Sequence, residues 1–348
     1  MRKMIFMFAF LALFYLTSVF ILTFVKNKKS FKISSQPISK DVSSACKGLA
    51  ITIIMMSHIA NYFGVRYMTP LGSLGVAVFL FLSGYGLQLS AQKNGLKGYW
   101  LKRLKVAYLP YFVIEIVGFI FLYNDFTFFD VFLDLLLIDT IHPYGWYMQC
   151  LFLYYIAFYI AELLSKKKYI FKYVVLCLSS IAIFVFLGGL FKQQIFSFVL
   201  GVVFGLSKDK LGLLFRKWYF ALMFLFTGGA SLALRQIPLV RDSHWTIYNL
   251  VYALQAICLA LALIAFVSIF SKIFENLSQF ILPLIFIGII SNELYLIHAF
   301  CIPHSTDCFS IAMFFIIALI ICSAIYLTKT YTRKYFSLKI KKRGSNVK

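Results

Sequence analysis

The sequence predicts an all-α, polytopic integral membrane protein, a bundle of about ten core transmembrane helices with one extra helix at the N-terminus. Of its 348 residues, 62% are hydrophobic, 19% are aromatic and only 13% are charged. A soluble domain is nearer half apolar and a quarter charged, so this chain carries more apolar surface than its own core could hide from water. Lipid is therefore its expected solvent.

Eleven apolar stretches long enough for membrane-spanning helices follow one another along the chain. They cover roughly 4–25, 48–65, 72–90, 106–123, 145–164, 169–190, 193–207, 218–234, 247–270, 281–303 and 309–328. The seventh is the shortest and the least typical. Because no internal repeat or Pro/Gly-rich linker divides the chain, we expect an N-terminal anchor and basic linker at 1–42, a membrane domain at 43–330 and a basic cytoplasmic tail at 331–348.

The first stretch allows two interpretations. Arg2 and Lys3 before a long apolar run are also found in signal peptides. The run is long for a signal peptide, however, and "FVKNKK" offers no small-x-small cleavage site. The basic block that follows is typical of a stop-transfer flank, which favours an uncleaved anchor helix.

The net charge of +22 is concentrated in alternate loops. The basic runs are "KNKKSFK" (26–32), "KGYWLKRLK" (97–105), "KKKYIFK" (166–172), "KDKLGLLFRK" (208–217) and the tail from 329 to 344. With the N-terminus outside and the C-terminus in the cytoplasm, most of the 34 Lys and Arg residues face the cytoplasm, as the positive-inside rule requires. These runs then orient a multi-pass protein of the plasma (inner) membrane beside the anionic headgroups of its bilayer, and no nucleic-acid partner is expected.

Titratable groups inside a membrane are costly and usually face a cavity or the bundle interior. Lys47 and His58 lie eleven residues apart, so on a helix they share one face, separated by roughly 16 Å. The lysine would sit at the cytoplasmic mouth, where it suits a phosphate, and the imidazole at mid-membrane depth, where it suits proton transfer. The alternative is a core histidine bonded to a neighbouring helix and a lysine that only snorkels.

The segment "KGLAITIIMMSH" resembles the basic residue, ten intervening residues and histidine that mark the first core helix of the integral-membrane acyltransferase-3 family. Four further segments are similar to family elements in the same order: "LGSLGVAVFLFLSGYGL" (71–87), "WLKRLKVAYLPY" (100–111), "GWYMQCLFLYYIAFYI" (145–160) and "IGIISNELYLIHAF" (287–300). The resemblance runs from about residue 43 to 328. Ser44 stands where the family usually has Asp, and Lys47 replaces Arg, which keeps a point charge and loses a bidentate fork.

The resemblance implies about ten core helices and a membrane O-acetyltransferase of the cell envelope. Its donor would be cytoplasmic acyl-CoA, with acetyl-CoA expected. Its acceptor would be an extracytoplasmic or lipid-linked carbohydrate, such as an exopolysaccharide, a capsule or an O-antigen. His58 would be the general base for the acceptor hydroxyl, a role typically worth about 10²–10⁴ in rate. The expected donor-binding residues are Lys47, Lys102, Arg103 and Lys105.

Several other polar side chains are candidates for the lining of the same cavity. They are Ser83, Tyr85, Trp146, Ser291, Tyr295 and His298. The last three fall on one helix face at i, i+4 and i+7, a spacing that an interhelical hydrogen-bond set would also explain. Glu115 is expected to be structural, and His142 and His244 are expected in outer loops. Because the histidines have no zinc-site spacing, no metal is predicted.

Two other function classes compete with the enzyme. A transporter or flippase for a lipid-linked sugar often has inverted repeats and broken helices, and the sequence shows no repeat. A non-catalytic membrane scaffold would leave the shared face of Lys47 and His58 without a purpose. Acceptor-dependent release of free CoA would separate the enzyme from both.

Overall fold

The computed structural model describes residues 15–19, 38–62, 64–65, 68–165, 169–243, 245–273, 278–302 and 308–345. Throughout these ranges the ordered elements are helices, and none of the described residues is in a strand. Most of the expected N-terminal span at 4–25 lies outside the described residues. The all-helical prediction is confirmed for the described part of the chain.

The described helices begin and end as follows. They are α1 (Lys40–Tyr62), α2 (Pro70–Asn94), α3 (Tyr99–Arg103), a π-helical turn (Leu104–Tyr108), α4 (Leu109–Phe121), α5 (Phe128–Leu135), α6 (Trp146–Ser165), α7 (Tyr169–Phe186), α8 (Gly189–Lys192), α9 (Ser197–Leu206), α10 (Lys208–Leu211), a 3₁₀ turn (Gly212–Arg216), α11 (Trp218–Leu234), α12 (Pro238–Arg241), α13 (Trp245–Ile273), α14 (Ser278–Ile289), α15 (Ser291–Ile297), a 3₁₀ turn (His298–Cys301) and α16 (Cys308–Ser345).

Among the described residues, the structure contains fewer candidate spans than the sequence predicts for the whole chain. Within the described ranges, seven helical segments are long and apolar enough to cross a membrane, and the number rises to nine if each of two bent pairs counts as one span. The bends measure 80° between 208–216 and 218–234, and 63° between 281–289 and 291–301. The seventh predicted stretch, the shortest, is long enough in the structure to count as a candidate span, Gly189–Leu206. The sixth forms a shorter apolar helix, Ile170–Phe186. A multi-pass bundle is confirmed, and the expected count of ten core helices plus one N-terminal helix is not confirmed.

Helix α1 packs backbone to backbone against α14. A Cβ atom on Gly48 would overlap the carbonyl of Leu284, and one on Gly288 would overlap the carbonyl of Ser44. Small residues allow such close approach between helices in lipid, where van der Waals packing replaces the hydrophobic effect as the driving force. The contact fixes the helix that carries Lys47 and His58 against the bent pair α14–α15.

Helices α2 and α9 make the second close contact of this kind. A Cβ atom on Gly84 would meet the carbonyl of Phe198, and one on Gly201 would meet the carbonyl of Phe81. The segment Ser83-Gly84-Tyr85 therefore lies in a helix–helix contact.

The two ends of the bundle differ in the side chains they carry. We name the histidine end as the one where α1 and α11 end and α6 and α13 begin. Contacts run along it from the Trp146 ring to the Phe191 ring, 5.9 Å apart, and from Lys192 Nζ to the Trp245 ring, 3.5 Å away. The basic end is the opposite one, where α1 begins and α2 ends.

His58 lies nearer the histidine end than expected. It comes four residues before the end of α1, whose first turns at Lys40 precede the apolar run from which the span was predicted. The predicted start of this span at residue 48 is eight residues too late, because the helix begins before its apolar part, and the mid-membrane depth of His58 stays a prediction. Since α1 is continuous from Lys40 to Tyr62, Lys47 and His58 do share one face at the predicted separation of roughly 16 Å.

Candidate functional site

Two histidines distant in sequence meet near the histidine end. The His58 Nδ1 atom lies 3.1 Å from the His298 Nε2 atom. His298 is fully buried, whereas His58 is only partly buried. The bend at Ile290 redirects the chain into α15, which ends immediately before His298.

The hydrogen bonds of His298 decide which nitrogens carry protons. Its Nδ1 atom lies 2.6 Å from the Tyr295 carbonyl oxygen and 3.2 Å from that of Leu294. Carbonyl oxygens only accept, so Nδ1 is the protonated nitrogen, and in a neutral imidazole Nε2 is then the acceptor. His58 Nδ1 must therefore donate to His298. The lone pair of neutral His58 is left on Nε2, which makes no hydrogen bond to any described residue.

The Tyr144 ring packs against both histidines. Its centroid lies 4.1 Å from that of His58, with an interplanar angle of 26°, and 4.8 Å from that of His298, with an angle of 9°. The Tyr295 hydroxyl donates to the Tyr144 carbonyl at 3.2 Å. Burial raises the pKa of Tyr144 to about 12, so its phenol stays neutral. Tyr144 therefore presents a neutral aromatic face to the pair.

His142 lies in a loop, as predicted, and its side chain folds into the protein. His244, the other histidine expected in an outer loop, lies outside the described residues. The His142 side chain is 2% exposed. Its Nε2 donates to the Leu296 carbonyl at 2.8 Å, and its Nδ1 accepts from the Tyr144 backbone N–H at 3.0 Å. Burial lowers the pKa of His142 to about 4. At neutral pH the 4.0 Å approach of Glu115 Oε1 to Nε2 is therefore not an ion pair.

Asp134 anchors the loop that carries Tyr144. The carboxylate is fully buried, and its Oδ2 accepts from the Ile141 backbone N–H at 2.9 Å. The Tyr111 hydroxyl donates to Oδ1 in a very short hydrogen bond. The buried glutamate of the same region, Glu115, accepts from the Tyr123 hydroxyl at 2.9 Å. These contacts tie the loop to α4 and thereby position Tyr144.

At the basic end, Arg103 is the member of its cluster that turns inward. Its guanidinium carbon lies 5.6 Å from the Tyr155 ring centroid and 5.9 Å from that of Tyr99. The Arg103 Nε atom is buried and has no hydrogen-bond partner among the described residues. The partly buried Lys47 side chain is close enough for the two charges to interact. Lys102 and Lys105 are exposed.

Tyr155 contacts both Arg103 and Ser83, another of the predicted site residues. The Ser83 hydroxyl lies 3.1 Å from the Tyr155 hydroxyl. The Tyr155 carbonyl accepts from the Tyr99 hydroxyl at 2.8 Å. Nothing in the sequence pattern singled out Tyr155, since it is one of 22 tyrosines in the chain.

The remaining candidates for the cavity lining are dispersed. Tyr85 is buried on α2, where its backbone faces Gly201 of α9. Trp146 is half-buried at the start of α6. Ser291 is buried, and its hydroxyl donates back to the Gly288 carbonyl at 2.9 Å. The structure thus brings Tyr295 and His298 to His58 and leaves these three apart.

The basic run that contains Lys172 was predicted only to orient the chain in the membrane, but Lys172 has a different role. It is 1% exposed on α7, and its Nζ donates to Gln88 Oε1 at 2.7 Å and to Glu162 Oε1 in a shorter contact. A buried ion can persist when it is paired in this way. Lys172 is therefore part of the packing between α2, α6 and α7, while 166–168 lie outside the described residues.

Both ring nitrogens of His142 and His298 are occupied by hydrogen bonds within the protein. Across the described ranges, no group of three His, Cys, Asp or Glu side chains is placed to hold a metal ion. The arrangement instead suits proton transfer, because it holds an imidazole in one tautomer.

A comparison with known proteins found one family. A family model described as an acyltransferase domain matches residues 44–333. No curated protein and no solved structure matches the chain. The matched segment contains the histidine pair, the loop of Tyr144 and the inward-facing Arg103.

Proposed function

Because the chain belongs to the acyltransferase-3 family, we propose that this multi-pass membrane acyltransferase moves an acyl group from cytoplasmic acyl-CoA to a carbohydrate hydroxyl. The acyl group is acetyl, and the carbohydrate is extracytoplasmic or lipid-linked. The observation that carries the proposal is the hydrogen bond from His58 to His298, because it leaves an unprotonated Nε2 on the one partly exposed member of the pair.

The reaction follows from that tautomer. His58 Nε2 takes the proton of the acceptor hydroxyl as its oxygen attacks the thioester carbonyl carbon. A carbon–oxygen bond forms, the carbon–sulfur bond breaks, and the proton on Nε2 passes to the leaving CoA sulfur. In the charged intermediate state His58 Nδ1 still donates to His298, and hydrogen bonds from charged donors are the stronger ones. The Tyr144 ring adds a face that attracts a cation.

The basic end suits the donor. CoA is a multiply charged anion, and Arg103 has a buried N–H without an acceptor, close to Lys47. Lys47 lies on the His58 face of α1, roughly 16 Å along the axis. A CoA molecule whose phosphates contact Lys47 and Arg103 could extend its pantetheine arm toward His58. Lys102 and Lys105, which are exposed, would attract the anion without binding it closely.

This function requires the histidine end to face outward, as the distribution of basic runs favours. Single cysteines at Asp130 and Asp242 are expected to react with an impermeant thiol reagent applied to intact cells. A cysteine at Lys97 is expected to react only after the cells are opened. The reverse labelling pattern would overturn both the orientation and the side of the donor.

The decisive experiment measures acceptor-dependent release of free CoA by the purified protein. His58→Gln is expected to lower the rate by about 10²–10⁴ while the protein remains inserted and abundant. Thr52→Val on the same helix is the matched control, because the Thr52 hydroxyl only bonds the Gly48 carbonyl. Full activity of correctly inserted His58→Gln would make His58 a core residue and sink the proposal.

A transporter or flippase for a lipid-linked sugar is the second candidate. The two bent helix pairs favour it, because broken helices are common where transporters bind their substrates. Reconstituted vesicles separate the two functions. Movement of a lipid-linked sugar without CoA release would identify a transporter, and CoA release without such movement would identify the transferase.

A further inference from the structure

A second buried arginine lies at the histidine end, outside the site of His58. Arg235 follows the last residue of α11 and is 7% exposed. Its guanidinium carbon lies 3.3 Å from the ring centroid of Tyr252, and its Nη2 donates to the Tyr248 hydroxyl at 2.8 Å. Its Nη1 donates to Gln255 Oε1. Two tyrosines and one glutamine of α13 thus hold the guanidinium in place.

This arrangement leaves hydrogen-bond donors without acceptors. The Arg235 Nε atom and the Gln255 Nε2 atom are both buried, and neither has a partner among the described residues. Among the described residues, no carboxylate forms an ion pair with Arg235. The nearby Asp242 pairs instead with Arg241 in solvent. A buried charge is costly unless it is paired, and each buried donor without an acceptor adds to that cost. A ligand with a negative charge and acceptor oxygens would satisfy both groups.

The surroundings of Arg235 indicate where that anion comes from. Apolar side chains on either side of it are exposed, among them Leu234, Leu239 and Ile247. These side chains face lipid if the bundle spans a membrane. Arg235 follows the end of α11 and contacts the first three turns of α13. Residues 245–271 of α13 are a candidate membrane span, and α11 is one together with 208–216, so Arg235 is expected near the boundary where lipid headgroups begin. In a bilayer, lipid phosphates would be the most abundant anions near this guanidinium.

We propose that Arg235 and Gln255 bind the phosphate of a membrane lipid in the leaflet at the histidine end. One guanidinium balances the single negative charge of a phosphodiester. Arg235 Nε–H and Gln255 Nε2–H donate to its oxygens. Guanidinium groups suit phosphate because of their planar array of donors. A carboxylate of an acidic glycan has the same charge, but the apolar rim favours a ligand with hydrocarbon tails.

The test uses the purified full-length protein in a neutral detergent and measures its Tm with four probes. Phosphatidylglycerol is expected to raise the Tm. Diacylglycerol with the same chains, which lacks the phosphate, is not. Inorganic phosphate is also expected to have little effect. Equal protection by inorganic phosphate, or protection by glucuronate in place of phosphatidylglycerol, would overturn the lipid assignment.

Two variants locate the effect. Arg235→Gln is expected to weaken phosphatidylglycerol binding about tenfold or more, as loss of a charge-assisted contact does. Gln255→Glu supplies Arg235 with a counter-anion from the protein itself. It should abolish the lipid response without lowering the Tm of the lipid-free protein, which distinguishes loss of the site from misfolding. Arg241→Gln, at an exposed arginine, is the control. An undiminished lipid response in Gln255→Glu would overturn the proposal.

Discussion

Replacing His298 by Phe tests whether it fixes the tautomer of His58. The phenyl ring fills similar space and can keep the stack on Tyr144, but it offers no acceptor to His58 Nδ1, 3.1 Å from the lost nitrogen. A donor left unpaired in a buried site costs about 1–3 kcal/mol, and a tenfold rate change corresponds to about 1.4 kcal/mol. We therefore expect kcat for acceptor-dependent CoA release to fall by about tenfold to a hundredfold, with little change in donor KM.

The double variant makes this prediction specific. If His298 acts through His58, then His58→Gln with His298→Phe should be no slower than His58→Gln alone, because the losses are not additive within one unit. His298→Gln, whose side-chain oxygen can accept, should retain more activity than His298→Phe. If His298→Phe slows the His58→Gln variant by the same factor by which it slows the unmodified protein, the reasoning is refuted.

Three further changes test other parts of the molecule. Arg103→Ala should weaken acyl-CoA binding by about tenfold to a hundredfold. Lys105→Ala, at an exposed lysine, should change that binding little. Equal effects of the two changes in an acyl-CoA titration would contradict the proposal that the inward-facing Arg103 binds the donor. Gly288→Ala should cost about 1–3 kcal/mol of stability and lower the Tm, because its methyl group meets the α1 backbone, while Gly229→Ala, in open space, should not. His142, with its pKa lowered from 6.5 to about 4 and with Glu115 and His298 beside it, binds protons more readily when unfolded. Its contribution to stability is complete above about pH 6.5 and is lost as the pH falls toward 4, so the Tm should fall over that window, and less steeply in His142→Asn.

Hydropathy predicted most of the helices because a segment in lipid must satisfy its own backbone hydrogen bonds, which a helix does, and because apolar side chains enter lipid without a desolvation cost. The two bends escaped prediction. The break at Ile290 lies inside the stretch 281–303, which was predicted as one span, and the three polar residues that follow it, Ser291, Asn292 and Glu293, were not interpreted as a break. The start of α1 was misjudged for a different reason. The first turns of α1 are polar, and a search for apolar residues begins the helix too late.

The candidate site was predictable only where spacing on one helix carries information. Lys47 and His58 could be placed on one face from their separation alone, and their roles remain predictions. His142 and Tyr144 lie in a loop, which has no regular repeat. Their inward direction therefore could not be predicted from their positions in the sequence. Lys172 was misread because a basic run does not show which of its members pairs with a carboxylate on another helix.

The π-helical turn at Leu104–Tyr108 decides which way two distant residues point. Twelve residues separate Arg103 from Glu115, which in an uninterrupted α-helix would place them about 120° apart. A π turn holds one residue more than an α turn, so the effective separation is eleven residues and the angle falls to about 20°. Arg103 and the fully buried Glu115 can then face the same interior. The turn thus sets the rotation of the helix on one side of it relative to the other. Removal of one residue from it would turn the Arg103 side chain toward lipid while the Glu115 side chain stays in place.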